Sequence, residues 1–190
     1  TDGSYTVFVQ DANGCVAQSQ IDLTEPAIID IDASSTDLTC FENATGEISI
    51  TATGGTVPYQ YSIDNGINFQ GVNQFTGLAE GNYDVVVEDV NGCQSAIVQY
   101  VGQPTALAFD PFTIVDASCY GVCDATITPN VIGGTPGTGY SYNWSGGIAG
   151  NADNSANNVC EGTYSVIVTD DNGCTIDSLN FVVSEPPLAT

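Results

Sequence analysis

The chain has 190 residues, with 23 Asp and Glu but no Lys, Arg or His, so its formal net charge is −23 at pH 7. Because no side chain can neutralise a phosphate, nucleic acid is not expected as a partner, and an anionic membrane surface would repel the protein. The same absence removes enzymes that need a His base, a Lys Schiff base or an Arg clamp. With 42% hydrophobic residues the chain is nevertheless expected to fold.

The first residues predict a β-hairpin. Tyr5, Val7 and Val9 occupy every second position, the pattern of a half-buried strand. The segment Asp-Ala-Asn-Gly-Cys at 11–15 follows, and Asp with Asn-Gly is typical of a tight turn in which Asp caps the backbone and Gly is left-handed. A second strand is expected after Cys15.

The sequence Asp-x-Asn-Gly-Cys occurs three times, ending at Cys15, Cys93 and Cys174. A Gly-x-Tyr precedes each copy at the same interval. A nearly constant period of about 80 residues indicates a tandem array of similar small domains.

Each repeat ends in a polar residue followed by proline, which forces the preceding residue to be extended. These junctions are Glu25-Pro26, Gln103-Pro104 and Glu185-Pro186. We expect the chain to be a segment of a longer secreted polypeptide. The predicted domains are the end of a truncated repeat at 1–26, complete repeats at 27–104 and 105–186, and the start of a further repeat at 187–190.

Inside a repeat, short alternating segments are separated by turns rich in Gly, Asn and Pro, and no window has helical periodicity. Tyr83, Val85 and Val87 correspond to Tyr164, Val166 and Val168 as inward-facing sets. The only Trp, Trp144, falls on an inward strand position, which favours a role in the core. The predicted fold is all-β, a series of immunoglobulin-like antiparallel β-sandwiches. The Tyr of Gly-x-Tyr is expected to bond a neighbouring backbone group, as in a tyrosine corner.

Seven cysteines at repeated positions predict disulfides and an extracellular compartment. Repeat 27–104 contains only Cys40 and Cys93, which predicts a bond between them. Cys40 and Cys119 follow their junction prolines at almost the same interval, so Cys119 is expected to pair with Cys174. That leaves Cys123 for Cys160, and Cys15 for a partner outside the chain. Zinc at Cys119 and Cys123 is the alternative, which the absence of His disfavours.

Together these residues resemble the SprB-type repeat of Bacteroidota cell-surface adhesins. The resemblance is carried by an early Cys, by Gly-Gly-Thr-Val-Pro-Tyr-Gln-Tyr-Ser at 54–62, and by Gly-Asn-Tyr through Asn-Gly-Cys at 81–93. The second repeat departs from it by the insertion 137–139, the extra pair Cys123 and Cys160, and a polar stretch at 150–155. The resemblance implies a long, secreted cell-surface protein exported by the type IX route and used in adhesion, gliding motility or an extracellular filament.

Possible binding and modification sites are few. We expect no cofactor, with calcium as the alternative, held by the junction carboxylates Glu25 and Glu185 or the turn carboxylates Asp89 and Asp170. Capping of the turn is the competing interpretation for the last two, because an EF-hand would need a twelve-residue loop. Glycosylation candidates are Ser178, in a Bacteroidota-like Asp-Ser-Leu sequence, and the Asn-x-Ser/Thr residues Asn43 and Asn143.

The predicted function is structural and not enzymatic. The repeats would serve as disulfide-linked segments of a surface filament or adhesin stalk, with neighbouring repeats, and other copies in a filament, as partners. No segment approaches the length of apolar sequence that a membrane span needs, so membrane insertion is not expected. The alternative is a glycan-binding module, in which exposed aromatic side chains such as Phe112, Tyr120 or Tyr140 contact surface polysaccharide.

Overall fold

The computed structural model describes residues 2–146, 148, 154–178 and 180–189. Its elements are all β-strands within those residues. The chain divides into two compact units, and the predicted domain boundaries stay predictions. The first unit comprises Thr1–Ser34, Ile48–Phe75 and Asn82–Gln99, and the second comprises Ser35–Glu47, Thr76–Gly81 and Tyr100–Thr190.

The N-terminal hairpin forms as expected. Strand β1 (Gly3–Gln10) pairs antiparallel with β2 (Val16–Leu23), in a register that sets Gly3 opposite Leu23. All residues of both strands are exposed, Tyr5 at 44% and Val9 at 65% among them. The inward-facing role predicted for this set is therefore not realised here, because two strands alone provide no opposing layer to cover an apolar face.

Strands β3 to β8 fall in the predicted repeat 27–104 and make two sheets, each of three strands. The sheet orders are β3-β4-β6 and β5-β7-β8. The strands are β3 (Asp30–Thr36), β4 (Gly46–Thr53), β5 (Gln60–Ser62), β6 (Gln74–Leu78), β7 (Gly81–Glu88) and β8 (Gln94–Val101).

Side chains from both of these sheets are buried. Ile48 and Ile50 of β4, at alternate positions, and Val85 and Val87 of β7 have no exposed surface. Val86 of β7, which the alternating pattern places on the opposite face of the strand, is also buried. The inward face of β7 is therefore as predicted, whereas the opposite face is not exposed along its whole length. Two sheets that each bury one face are expected of the sandwich that the sequence predicts.

Strands β9 to β16 fall in the predicted repeat 105–186. One sheet has the order β12-β10-β9, another β11-β14-β15, and β13 pairs with β16. The strands are β9 (Ala108–Val115), β10 (Ala125–Ile132), β11 (Ser141–Trp144), β12 (Ala156–Val159), β13 (Gly162–Tyr164), β14 (Val166–Thr169), β15 (Thr175–Asp177) and β16 (Phe181–Val183). Part of the polar stretch 150–155, at 150–153, lies outside the described residues.

One hydrophobic core fills the second unit between these sheets. Trp144 is 4% exposed and lies 6.0 Å from Phe181, ring centre to ring centre, which confirms its predicted core position. Val166 and Val168 of β14 are buried beside them, and Tyr164 packs on the edge of the core. Residues from two sheets share this core, so the predicted antiparallel immunoglobulin-like sandwich is confirmed.

A tyrosine corner is present in this unit. The Tyr164 hydroxyl donates to the carbonyl oxygen of Cys160 at 3.2 Å. Two further tyrosines fix Gly-Gly turns: the Tyr140 hydroxyl donates to the Gly133 carbonyl at 2.7 Å, and the Tyr59 hydroxyl bonds the Gly54 carbonyl. The hydroxyl of a buried Tyr needs such a partner.

Candidate functional site

The three Asp-x-Asn-Gly-Cys turns have the same hydrogen bonds. In the third, Asp170 N–H donates to the Cys174 carbonyl at 3.0 Å, and Asp170 Oδ1 accepts from the N–H groups of Asn172 and Cys174. Gly173 has φ +83°, a left-handed conformation that Gly adopts without strain. The turn therefore presents its cysteine at the start of the returning strand, as the sequence predicts.

The other oxygen of the turn aspartate holds the Gly-Gly-Thr loop. Asp170 Oδ2 accepts from Thr135 N–H at 2.9 Å and from its hydroxyl at 3.0 Å, and Asp89 Oδ2 accepts from Thr56 N–H at 2.9 Å. Backbone N–H donors, that of Cys93 first, hold the pKa of Asp89 below its usual value. Burial acts to raise the pKa of Asp170, but the bonds from Thr135 and Cys174 outweigh it and the pKa is lowered.

The first residues of the repeat close against the Gly-Gly loop. Gly134 N–H donates to the Thr105 carbonyl at 2.8 Å, and a Cβ placed on Gly133 would lie 1.9 Å from the Ala106 carbonyl oxygen. Gly54 has the same relation to Ile28, also at 1.9 Å. Only glycine allows this approach of two backbones.

These three segments line a cavity of about 410 Å³, which we name the hairpin pocket. It is formed in the second unit by residues of the repeat start, the Gly-Gly loop and the final hairpin. Cys40 and Phe41 complete its lining. Its other residues are Pro104, Thr105, Ala106, Leu107, Gly134, Gly173, Cys174, Thr175 and Ile176.

The segment that reaches this pocket is the loop between β3 and β4, residues 37–45, which we name the cysteine loop. Cys40 is disulfide-bonded to Cys174, with 5.7 Å between their Cα atoms, and the Asn172 side-chain amide donates to the Thr39 carbonyl at 3.0 Å. Within the loop, Thr39 N–H donates to Thr45 Oγ1 at 2.9 Å. Glu42 has φ 56° and its N–H donates to Gln103 Oε1 at 2.8 Å.

The predicted pairs Cys40–Cys93 and Cys119–Cys174 are therefore wrong: Cys40 pairs with Cys174, and Cys93 and Cys119 are free thiols. The reason is visible in the second repeat. The loop around Cys119 bonds the far end of the final strand, where Ala117 N–H donates to the Ser184 carbonyl at 3.1 Å.

In the first repeat, Cys93 immediately precedes β8 (Gln94–Val101), and the loop around Cys40 is bonded to the residue that follows the far end of this strand. At roughly 3.3 Å per residue the eight residues of β8 span about 26 Å, whereas disulfide Cα atoms lie within about 7 Å. The first repeat has the same order of contacts around its early cysteine, because Leu38 N–H donates to the Gly102 carbonyl at 2.9 Å.

The remaining cysteines behave differently. Cys123 and Cys160 form the expected disulfide. Cys15 is free and exposed, and no partner for it was expected within the chain. The disulfide between Cys40 and Cys174 thus joins the early cysteine of one sequence repeat to the hairpin cysteine of the next.

The calcium candidates do not assemble into a site. No group of three or more Asp, Glu or Cys residues that could hold a metal ion occurs in the described part of the chain. Asp89 and Asp170 cap their turns, Glu185 Oε2 accepts from Gly121 N–H at 2.8 Å, and Glu25 is exposed. Calcium binding stays a prediction.

The glycosylation candidates lie apart from the hairpin pocket. Asn43 and Asn143 are exposed, the second on β11. Ser178 is half-buried, and its hydroxyl oxygen accepts from Val166 N–H at 2.7 Å. Leu179 of the Asp-Ser-Leu sequence lies outside the described residues. Modification at the three sites stays a prediction.

These features define a class: an all-β protein with sequence repeats that is cross-linked by disulfides. The family model of the SprB repeat matches residues 33–68, which confirms the resemblance over that segment. Those residues contain the cysteine loop and the first Gly-Gly turn. No curated protein matches the sequence. No helix in the described residues is long and apolar enough to cross a membrane.

Two solved structures match the chain at low sequence identity. The chain matches Drosophila OTK extracellular domains 3–5 at 16% identity and TM-score 0.32, covering 96% of this chain and 70% of that one. It matches the eight N-terminal Ig domains of DSCAM isoform 1.30.30 at 11% identity and TM-score 0.45, covering 97% of this chain and 28% of that one. Neither similarity bears on function. The disulfides and the SprB match indicate a repeat module of an extracellular or cell-surface protein.

Proposed function

We propose that this chain is a structural segment of a long, secreted cell-surface filament or adhesin stalk, and that its repeats resist extension under force. The observation that carries the proposal is the disulfide between Cys40 and Cys174, whose sequence separation is 134. A covalent bond between the repeats keeps the intervening chain from contributing to the length of a pulled molecule. A catalytic role has no support in the chemistry of the side chains.

The effect on extensibility follows from the positions of the two cysteines. Only the segment before Cys40 and the short segment after Cys174 lie outside the closed loop. At about 3.4 Å per residue, the oxidised chain extends to roughly 190 Å plus the short disulfide link, whereas the reduced chain extends to roughly 650 Å. The second disulfide, Cys123–Cys160, lies inside the loop and does not alter the first value.

Single-molecule stretching of the full chain, held at its two ends, tests this directly. We expect a maximum extension of about 190 Å without reductant and of about 650 Å with it. In the C40S/C174S variant without reductant, only the 37 residues closed by Cys123–Cys160 cannot be extended. The expected maximum extension of this variant is therefore roughly 520 Å. An oxidised extension of about 280 Å would instead match pairs Cys40–Cys93 and Cys119–Cys174 and would contradict the proposal.

A glycan-binding function has one observation in its favour. Phe112 is 46% exposed and lines an apolar groove of about 340 Å³ with Phe109, Pro111 and Phe181. Phe112 packs edge-on against Phe181, with ring centres 4.7 Å apart. Of the other aromatic candidates, Tyr120 is exposed, whereas the Tyr140 hydroxyl is already bound to Gly133.

A glycan array probed with the full chain and with Phe112→Ala separates the two functions. A sugar ring stacks on an exposed aromatic face through apolar contacts, so removal of the ring should abolish binding. Under the structural proposal neither protein binds. Binding by the unmodified chain that F112A loses would establish the glycan function instead.

A further inference from the structure

Two free cysteines occupy the repeat positions of the pair that forms the disulfide between Cys40 and Cys174. Cys119 is equivalent to Cys40, and Cys93 is equivalent to Cys174. Cys119 belongs to the second copy of the cysteine loop, and Cys93 to the first copy of the hairpin pocket. Both thiols are exposed. The disulfide between Cys40 and Cys174 therefore provides a template against which the surroundings of both free thiols can be compared.

The loop around Cys119 has the conformation of the loop around Cys40. Val122 N–H donates to the Cys119 carbonyl at 3.2 Å, as Asn43 N–H does to the Cys40 carbonyl at 3.3 Å. Gly121 has φ 70° and its N–H donates to the junction side chain Glu185 at 2.8 Å, as the N–H of Glu42 does to Gln103.

The base of the loop is closed in the same way in both copies. Ser118 N–H donates to Asp124 Oδ1 at 2.9 Å, matching the bond from Thr39 to Thr45. Hydrogen bonds from Ser118 also hold the pKa of Asp124 below its usual value. The second loop is thus preformed with Cys119 and the ring of Tyr120 exposed, where the first loop presents Cys40 and Phe41.

Cys93 lies in a preformed copy of the hairpin pocket, in the first unit. This cavity measures about 330 Å³, and the thiol of Cys93 is exposed beside it. Its lining residues are equivalent, position by position, to residues that line the hairpin pocket, apart from Asp89, the turn aspartate. They are Pro26, Ala27, Ile28, Ile29, Gly55, Asp89, Cys93, Gln94 and Ser95.

We propose that the pocket beside Cys93 binds the cysteine loop of another copy of this repeat and forms a disulfide with its early cysteine, and that the loop of Cys119 enters such a pocket in turn. Every repeat then carries one loop and one pocket, and successive repeats are covalently joined head to tail. The proposal deepens the structural function and rests on it, because it names the partner through which a filament is continued.

The chemistry requires an oxidant. The two thiols lose two protons and two electrons as the sulfur–sulfur bond forms, and a low-molecular-weight disulfide accepts the electrons and is reduced to two thiols. Such exchange is expected of exposed thiols in an oxidising, extracellular compartment.

The probe for the test is a nine-residue peptide with the sequence of residues 37–45, its cysteine carried as a mixed disulfide with 2-thiopyridine. When a thiolate of the protein attacks the cysteine sulfur, the new disulfide forms and pyridine-2-thiolate leaves, which absorbance reports. Substoichiometric peptide is added to the full chain, and the modified cysteine is located by peptide mapping. Glutathione activated in the same way gives the intrinsic reactivity of each thiol.

After that normalisation we expect the peptide to modify Cys93 at least about tenfold faster than Cys119 or Cys15, which are exposed and line neither the hairpin pocket nor its copy beside Cys93. A peptide with Phe41→Ser should lose most of the preference. Equal modification of the three thiols, no modification, or a preference that F41S retains would overturn the proposal. The expected stretching result depends on the pair Cys40 and Cys174, so the peptide test at Cys93 can fail while the oxidised extension stays at about 190 Å.

Discussion

The pairing of Cys40 with Cys174 makes a quantitative prediction about stability. Their sequence separation is 134, and the chain-entropy model gives about 5 kcal/mol for a loop of that length, at the top of the observed range. For a chain of this size each kcal/mol corresponds to about 2–4 °C in the unfolding midpoint, so we expect the variant C40S/C174S to unfold about 10–20 °C below the unmodified protein.

The matched control changes the cysteines that have no partner. The triple variant C15S/C93S/C119S removes three exposed thiols and leaves both disulfides in place. Its midpoint should stay within about 6 °C of the unmodified protein, because each of the three exposed substitutions rarely exceeds about 0.5 kcal/mol. The disulfide removed in the variant C123S/C160S closes a shorter loop, and its expected cost is about 4 kcal/mol.

Thermal unfolding followed by circular dichroism provides the midpoints. Peptide mapping of the unmodified protein under non-reducing conditions provides a second readout that does not depend on any variant folding. A peptide linking Cys40 to Cys174 is expected. A triple variant that melts as early as C40S/C174S, or a peptide linking Cys40 to Cys93, would refute the pairing of Cys40 with Cys174.

Three further predictions concern the turns and carboxylates. Gly173→Ala should lower the free energy of unfolding, measured in urea, by about 1–2 kcal/mol. The only reason is that alanine must adopt the left-handed φ of +83°. Gly133→Ala, at φ +81°, should cost about 2–3 kcal/mol more, because its Cβ would overlap the Ala106 carbonyl; equal costs would contradict the close approach. Hydrogen bonds from Ser62 first, and then from Asn68, lower the pKa of Asp64 to about 2, so its stabilising contribution is complete above pH 4 and lost as the pH falls through 2. NMR titration of the Asp64 carboxyl carbon checks this, and a midpoint near 4 would contradict it. Millimolar calcium should leave the unfolding midpoint where a chelator leaves it, because backbone N–H groups bind both oxygens of Asp89 and Asp170; a rise of several degrees with calcium would show a metal site.

Local turn chemistry was fully predictable from the sequence. Asp, Asn and Gly in the order Asp-x-Asn-Gly-Cys specify a turn within five residues, and Asp11, Asp89 and Asp170 each accept the N–H bonds expected of them. The alternation around Val85 and Val166 predicted buried strand faces for a similar reason, since side chains two apart in a strand share a face.

The pattern was less reliable where burial depends on a second layer. Tyr5, Val7 and Val9 have the same alternation as Val85 and Val87, yet they are exposed in the hairpin of β1 and β2. Alternation states which face of a strand is apolar. Whether that face is covered depends on other strands, which the local sequence does not contain.

The choice of disulfide partner was decided by tertiary structure alone. Cys93 and Cys174 close equivalent hairpins, and a repeat period offers Cys40 one equivalent partner in its own repeat and another in the next. Spacing in sequence does not distinguish the two, because it carries no information about which end of a sandwich each loop occupies. The hydrogen bonds of the cysteine loop to the end of the final strand make that choice, and they bring Cys40 to Cys174.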